Sequence, residues 1–408
     1  MHIADIHLGK SLYGSSDRTD DFFYALYDVL KKYAVDEKVK FVLIAGDFFD
    51  VRKISSTAMN HAITCLRLLQ DTKIPAIAIE GNHDSHDNFG MSWLQSMSQW
   101  EYIKLLEPEF HEHGKVNLSE WDEEVKRGSF IDVGNVRIFG NTWYGSTTKD
   151  VLTKIIDALR DQHDASKFNI MMLHTDIEGM IHKNIKGLNL EKLRELKKYV
   201  DYLALGHIHQ NFVIDGWAHS PGSLECAAIN EIENIRGAYL VTVDTKTKKF
   251  KAELKREYRQ RPIQRLKFFV DAEDSPEDFQ TKISEFLEKE ISPSDELSSI
   301  IEITLEGSLN FKASMLNLNP LKEEIKNKYN PLLVLIKNHT IPVDISVKVD
   351  DTLSRSEKEA NIITDLVRKD IRFKERATKI AAIVVEAKRL ALSGEKPDKI
   401  AEMIETNL

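Results

Sequence analysis

The sequence predicts an α/β fold over its first two-thirds, then a small α+β domain and a helical tail. Three observations carry this expectation. Short apolar runs alternate with longer amphipathic ones up to about residue 245. A charged, proline-containing connector at Arg259–Pro262 opens a second, shorter series of such segments. Beyond Ser354, apolar residues recur at three-and-four spacing.

Taken in order, strands are expected at Phe41–Ala45, Ile74–Ile79, Ile170–Leu173 and Tyr202–Leu205. Helices are expected at Asp20–Tyr33, Ser56–Gln70, Asn88–Trp100, Lys149–Gln162 and Leu190–Lys198. Turn residues at Asp215-Gly216 and Pro221-Gly222 make Asn211–Thr245 a β meander ending in Ala238–Val243. The second series reads strand Arg265–Val270, helix Pro276–Glu290, strand Ile300–Leu305, helix Pro320–Tyr329 and strand Leu332–Ile336. In the tail, Ile362, Ile363, Leu366, Val367, Ile371, Ile380, Ile383, Val384, Ala387 and Leu390 form an apolar stripe. Ser393-Gly394 interrupts it, and Pro397 suits the first turn of a last helix. The expected domains are 1–258, 259–348 and 354–408.

Composition narrows the function classes. The 408 residues are 42% hydrophobic and 30% charged, an ordinary globular balance. Two distant cysteines, Cys65 and Cys226, read as reduced thiols, which fits a cytoplasmic protein and argues against a thiolate metal site. No apolar run is long enough for a membrane span, and no secretory leader is recognisable. A net charge of −9 disfavours a protein that coats nucleic acid through a basic surface. An enzyme that grips phosphate through cations remains compatible with it.

The chemistry gathers where apolar runs stop. Ile3-Ala4 leads into Asp5-Ile6-His7; later runs end in Gly46-Asp47, Gly81-Asn82-His83-Asp84, His174 and Gly206-His207-Ile208-His209. Ligands of open α/β sheets bind outside the carboxyl ends of strands, so side-by-side strands would bring these clusters together. A mixed oxygen and imidazole set suits manganese, iron or zinc better than magnesium or calcium. Seven such side chains exceed one ion and suit two sharing a carboxylate, a device for hydrolysing phosphate esters. A lone His-x-His or Asp-x-His would mean little; the ordered set of five is specific. The other nine of the 14 histidines, among them His2, His61 and His219, read as surface or satisfied core residues.

This ordered set resembles the calcineurin-like metallophosphoesterases, and more narrowly the Mre-eleven/SbcD DNA repair nucleases. Ile3–Gly9, Ala45–Asp50 and Ile79–Asp84 look like that family's first three motifs, and Ser220–Glu225 like the segment after its last histidines. The resemblance implies a β-sandwich flanked by helices, with a small capping domain and a helical tail. It implies two divalent ions, manganese above all, one on Asp5, His7, Asp47 and His209, the other on Asp47, Asn82, His174 and His207. His83 resembles the catalytic histidine, with Asp84 orienting its ring. Asp50 stands where many relatives carry a histidine, a position that tunes exonuclease action. The chain opens two or three residues short of the family's first strand, so that strand is expected to be short or to begin upstream.

The implied activity is a 3′–5′ duplex exonuclease and a single-strand and hairpin endonuclease in double-strand-break repair. The implied partners are DNA ends, a Rad-fifty/SbcC-type coiled-coil ATPase docked on 354–408, and a second copy bound through helices near 56–70 and 88–100. For the tail, packing on the cap is the competing reading; for those helices, it is core packing. Two other functions compete. A protein phosphatase would read Gly-Asp-x-Val-Asp-Arg-Gly where this chain has Gly46–Lys53, with its arginine one place late and no second glycine. A non-catalytic scaffold would have lost ligands, and none is missing here.

Overall fold

The computed structural model describes residues 1–85, 90–111, 115–180, 187–292, 297–343, 354–368 and 373–407. Asn88 and Phe89 of an expected helix, His86, His113 and His182, residues 344–348 of the expected cap, and Ile371 and Leu408 of the tail lie outside the described residues. The chain divides into two compact units, Met1–Arg261 and Pro262–Leu408.

The first unit is built from two six-stranded sheets. In chain order its strands are β1 (His2–Ile3), β2 (Val42–Ala45), β3 (Ala76–Ile79), β4 (Lys104–Leu105), the short pair β5 (Glu109–Phe110) and β6 (Val116–Asn117), β7 (Phe130–Val133), β8 (Val136–Asn141), β9 (Phe168–His174), β10 (Tyr202–Gly206), β11 (Phe212–Ile214), β12 (Ala218–Ser220), β13 (Ala238–Asp244) and β14 (Lys249–Lys255). One sheet runs β14-β13-β1-β2-β3-β4 and the other β11-β12-β10-β9-β8-β7. The five polar clusters therefore do not leave one sheet side by side, as an open α/β sheet would have it. Three follow strands of the first sheet and two follow strands of the second.

Side-chain alternation explains the layering. Leu43, Ile77, Ile79, Ile170, Met172, Tyr202 and Ala204 face one another between the sheets. Their neighbours Val42, Ile44, Ala76 and Ala78 face outward onto helices α1 (Ser16–Val29), α2 (Ser56–Asp71) and α3 (Trp93–Gln99) through Leu26, Leu66 and Met97. Met171, Leu173, Leu203 and Leu205 likewise meet Leu152, Ile155 and Leu159 of α4 (Thr148–Gln162) and Leu193 of α5 (Leu190–Glu195). Strands buried on both faces read as unbroken apolar runs, which is why they are visible in the sequence. Burying each such side chain contributes about 1.5–3 kcal/mol. The result is a β-sandwich flanked by helices, the fold class expected.

The end of this unit is tied to its beginning. Arg261 makes a forked contact to Asp21 of α1, with its Nε donating to Oδ2 at 2.9 Å, and its amide donates to Glu225 at 2.9 Å. Arg18 donates to Asp21 at 2.7 Å and to the Cys226 carbonyl at 2.7 Å. All four charged groups are buried.

In the second unit, β15 (Ile263–Val270), β16 (Ile300–Leu309) and β17 (Leu333–Asn338) pair in parallel, with β18 (Ile341–Pro342) beside the end of β16. Helices α6 (Pro276–Glu290) and α7 (Leu318–Tyr329) cover one face through Phe279, Ile283, Leu287, Leu321 and Ile325. Ser275 starts α6 with a capping box to Asp278 and Pro276 in the first turn. The C-terminal region is helical: α8 (Arg355–Arg368), α9 (Ala377–Leu392) and α10 (Pro397–Asn407). Among the described residues, no helix is long and apolar enough to cross a membrane.

Candidate metal centre

The chain leaving β1 is laced to the chain leaving β2. The Asp5 amide donates to the Gly46 carbonyl at 3.1 Å, and those of Ile6 and His7 donate to the Asp47 carbonyl at 2.9 and 3.0 Å. This lacing requires unusual backbone. Asp5, His7 and Asp47 have φ near +51°, and His207 has +93°. Each left-handed residue of this kind costs on the order of 1 kcal/mol or more, and such residues cluster where geometry serves function. Two glycines make room. A Cβ on Gly46 would lie 2.3 Å from His174 Nδ1, and one on Gly81 would lie 2.1 Å from Asp47 Oδ1.

The side chains then converge. Asp5, His7 and His209 place one ligand atom each within 4.8 Å of one another, and so do Asp47, His174 and His207. His7 Nε2 faces His209 Nε2 at 3.0 Å. Asn82 Oδ1 lies 3.1 Å from His174 Nε2 and 2.9 Å from His207 Nδ1. Asp47 Oδ2 is 3.3 Å from His174 Nε2 and 3.9 Å from His7 Nε2, so it stands between the two groups. All seven predicted ligands are thus in one place. Asp5 Oδ1 also accepts the His207 amide at 2.9 Å, locking the two sheets together at this end.

Each imidazole here turns one nitrogen inward; in His174, His207 and His209 the other meets a hydrogen-bond acceptor, and in His7 it faces a carboxylate at ion-pair distance. His174 Nδ1 meets the Ala45 carbonyl at 2.9 Å, and His7 Nδ1 meets Asp50 at 3.2 Å. His207 Nε2 meets Asp176 at 2.9 Å, and His209 Nδ1 meets Glu231 at 3.0 Å. An outer acceptor of this kind fixes the tautomer of a metal-ligating histidine and leaves its inner lone pair free. The donor set, with no thiolate, suits a borderline divalent cation. The residues present therefore fit a pair of divalent metal ions.

Electrostatics agree with the geometry. Burial opposes charge on His174, yet Asp47, Asp5 and the Ala45 carbonyl hold it up to about 9. Burial would raise Asp47, but His174, His7 and the His83 amide keep it well below the carboxylate range. A field that holds a proton so firmly also attracts a cation, whose binding must release that proton. Burial likewise opposes ionising Asp50, but His7 and Lys10, the latter at 2.8 Å, hold it near 2.

His83 lies at the edge of this cluster, its ring centroid 4.9 Å from that of His7. Its Nδ1 meets the Asp50 carbonyl. Asp84, expected to orient that ring, is occupied otherwise. Its carboxylate accepts the amides of Phe48, Phe49 and Gly81 at 3.1, 2.9 and 3.0 Å, pinning the turns after β2 and β3 together. Burial and the nearby Asp47 push it up to about 6. Asp176 and Glu231 carry no signal in the sequence. Neither ends an apolar run, though Asp176 follows His174 by two residues.

The family model for calcineurin-like phosphoesterases matches residues 1–211. The chain is 29% identical over 250 residues to the DNA double-strand break repair protein Mre11 of Saccharolobus solfataricus, covering 59% of each chain. It is 29% identical over 239 residues to the protein of that name from Archaeoglobus fulgidus, covering 57% of this chain and 52% of the relative. It is 24% identical over 264 residues to the SbcD component of the SbcCD nuclease of Staphylococcus epidermidis, covering 60% of this chain and 66% of the relative. The chain thus spans 52 to 59% of the length of the two Mre11 relatives.

Proposed function

Because this chain belongs to the calcineurin-like phosphoesterase family, we propose that it is a two-metal DNA nuclease that processes ends in double-strand-break repair. The observation that carries this reading is the pair of histidine and carboxylate clusters meeting at Asp47, with His83 beside them. The names of the relatives supply the substrate.

Two divalent ions, manganese in this reading, would be held by Asp5, His7, Asp47 and His209, and by Asp47, Asn82, His174 and His207. When bound, they supply Lewis acidity toward a phosphoryl oxygen and toward water. Asp47, which stands between His7 and His174, would serve both ions. His83 keeps its Nδ1 proton on the Asp50 carbonyl, which leaves Nε2 to carry a second proton to the departing 3′ oxygen. Asp84 acts through the backbone, holding the two turns that carry Asp47 and Asn82. The activities are a 3′–5′ exonuclease on duplex ends and an endonuclease on single strands and hairpins. The decisive assay is manganese-dependent cleavage of blunt and hairpin DNA, with bis-p-nitrophenyl phosphate as a minimal diester. His83→Ala should lose about 10²–10⁴-fold in rate while still binding manganese; full activity in that variant would refute the role.

The net charge of −9 calls for help with DNA affinity. We assign that help to a coiled-coil ATPase of the SbcC type docking on 354–408, where Leu366, Val384 and Leu392 are exposed. Deleting Ser354–Leu408 should abolish co-purification with the ATPase and spare diester cleavage; retained binding refutes it. Exposed Trp93 opens α3, and exposed Met91 and Trp100 flank it. They support a homodimer through α2 and α3, and a monomer mass in light scattering at micromolar concentration would exclude it.

A further inference from the structure

The outer acceptors of the four imidazoles differ in kind. His174 leans on a backbone carbonyl, and the Asp50 carboxylate against His7 is shared with Lys10. His209 and His207 each lean on a carboxylate that belongs to neither ligand cluster: Glu231 at 3.0 Å and Asp176 at 2.9 Å. These two carboxylates are held independently. Glu231 ends the short turn Ile229–Glu231 and accepts the Ala227 amide at 3.1 Å through its other oxygen. Asp176 lies just beyond β9. They also select opposite tautomers. Glu231 takes the Nδ1 proton of His209 and leaves Nε2 inward, whereas Asp176 takes the Nε2 proton of His207 and leaves Nδ1 inward.

Building on the two-ion reading, we infer that Glu231 and Asp176 are positioning residues, each setting chiefly the cation affinity of its own cluster. Glu231 governs Asp5–His7–His209, and Asp176 governs Asp47–His174–His207. A carboxylate on the outer N–H of a ligating imidazole fixes the ring, selects the tautomer and makes the opposite nitrogen a stronger donor. Glu231 and Asp176 share no hydrogen bond with each other, and the clusters are joined only through Asp47 and the Asp5 contact to the His207 amide, so each carboxylate should act mainly on its own cluster.

The test is a Mn²⁺ titration of the full chain by calorimetry and electron paramagnetic resonance, with no substrate present. Wild type should take up two ions. Glu231→Gln, which keeps the shape and removes the charge, should weaken one of them by about 10–100-fold. Asp176→Asn should weaken the other by a similar factor. The other ion should weaken by a clearly smaller factor in each case, with Asp47 carrying whatever coupling remains. Added to His209→Ala, Glu231→Gln should have no further effect; added to His207→Ala, Asp176→Asn should have none. A purely structural role would weaken both ions to the same extent and lower the urea midpoint of the metal-free protein; either result overturns the inference. Unchanged binding in both variants also overturns it and leaves the two-ion reading standing. A wild type that binds fewer than two ions overturns that reading and this inference with it.

Discussion

Two groups of buried histidines occupy the first unit, and they differ in what surrounds them. At the strand ends, His174 is fully buried beside Asp47. Between the sheets, His2 is equally buried, with Nδ1 2.9 Å from the Tyr202 hydroxyl and Nε2 3.1 Å from the Leu205 carbonyl, and His219 is stacked on Tyr202. Burial disfavours the imidazolium in both places. At the strand ends carboxylates outweigh it for His174, which rises to about 9, and for His209, whereas burial prevails at His7 and His207 and lowers them. Between the sheets nothing outweighs it, and burial together with His219 pushes His2 down to about 3. Burial alone therefore does not make a histidine functional. At His174 the adjacent Asp47 carboxylate tips the balance towards positive charge, which the pocket around His2 lacks.

The most severe challenge to this contrast is to remove His174. In metal-free protein, His174→Leu strands the Asp47 charge in the interior and should cost about 3–5 kcal/mol in urea unfolding. Added Mn²⁺ should recover part of that loss; an unchanged midpoint would mean the carboxylate is not what distinguishes the two groups. The next largest effect is on pH dependence. His2 has a depressed folded pKa, so its stability contribution is complete above the unfolded value near 6.5 and is lost as pH falls toward about 3. Within that window it should contribute a slope of about 1.4 kcal/mol per pH unit. Urea midpoints at pH 6 and pH 4 measure it, and His2→Leu should flatten the slope by that amount. The smallest effect is His2→Leu at pH 7. It orphans the Tyr202 hydroxyl and should cost about 1–3 kcal/mol.

Much of the site is legible in the sequence because its residues punctuate apolar runs. Asp47, Asn82 and His207 each follow a glycine at or just past the end of a strand buried on both faces, a pattern visible without any structure. Asp176 and Glu231 are not legible, since they are defined by where two imidazoles point, and nothing in local sequence encodes that. The expectation for Asp84 fails for the same reason: adjacency to His83 says nothing of the three amides that its carboxylate meets. In the fold, long helices and central strands are plain. β14 lacks an unbroken apolar run; its signal is instead the alternation of Phe250, Ala252 and Leu254 with Lys249, Lys251, Glu253 and Lys255, which suits an edge strand. The β7–β8 hairpin escapes the pattern although it turns at Gly134-Asn135, because Asp132 and Arg137 interrupt its apolar pattern; in the structure they pair with each other. α1 gives way after Val29 to a π-helical turn at Leu30–Val35, a change of hydrogen-bond register that the apolar spacing does not announce.

The forked pairing of Arg261 with Asp21 spans 240 positions of the chain. It sets a schedule for synthesis. As the polypeptide emerges from the ribosome, α1 appears early, but Asp21 lacks its second cation until nearly the whole first unit has been made. β1 must wait in the same way for β13, its partner through His2 and Tyr239. Between the synthesis of Asp21 and that of Arg261 the nascent chain therefore carries an incompletely paired acidic group and a half-paired strand, the long-range closure that slows folding.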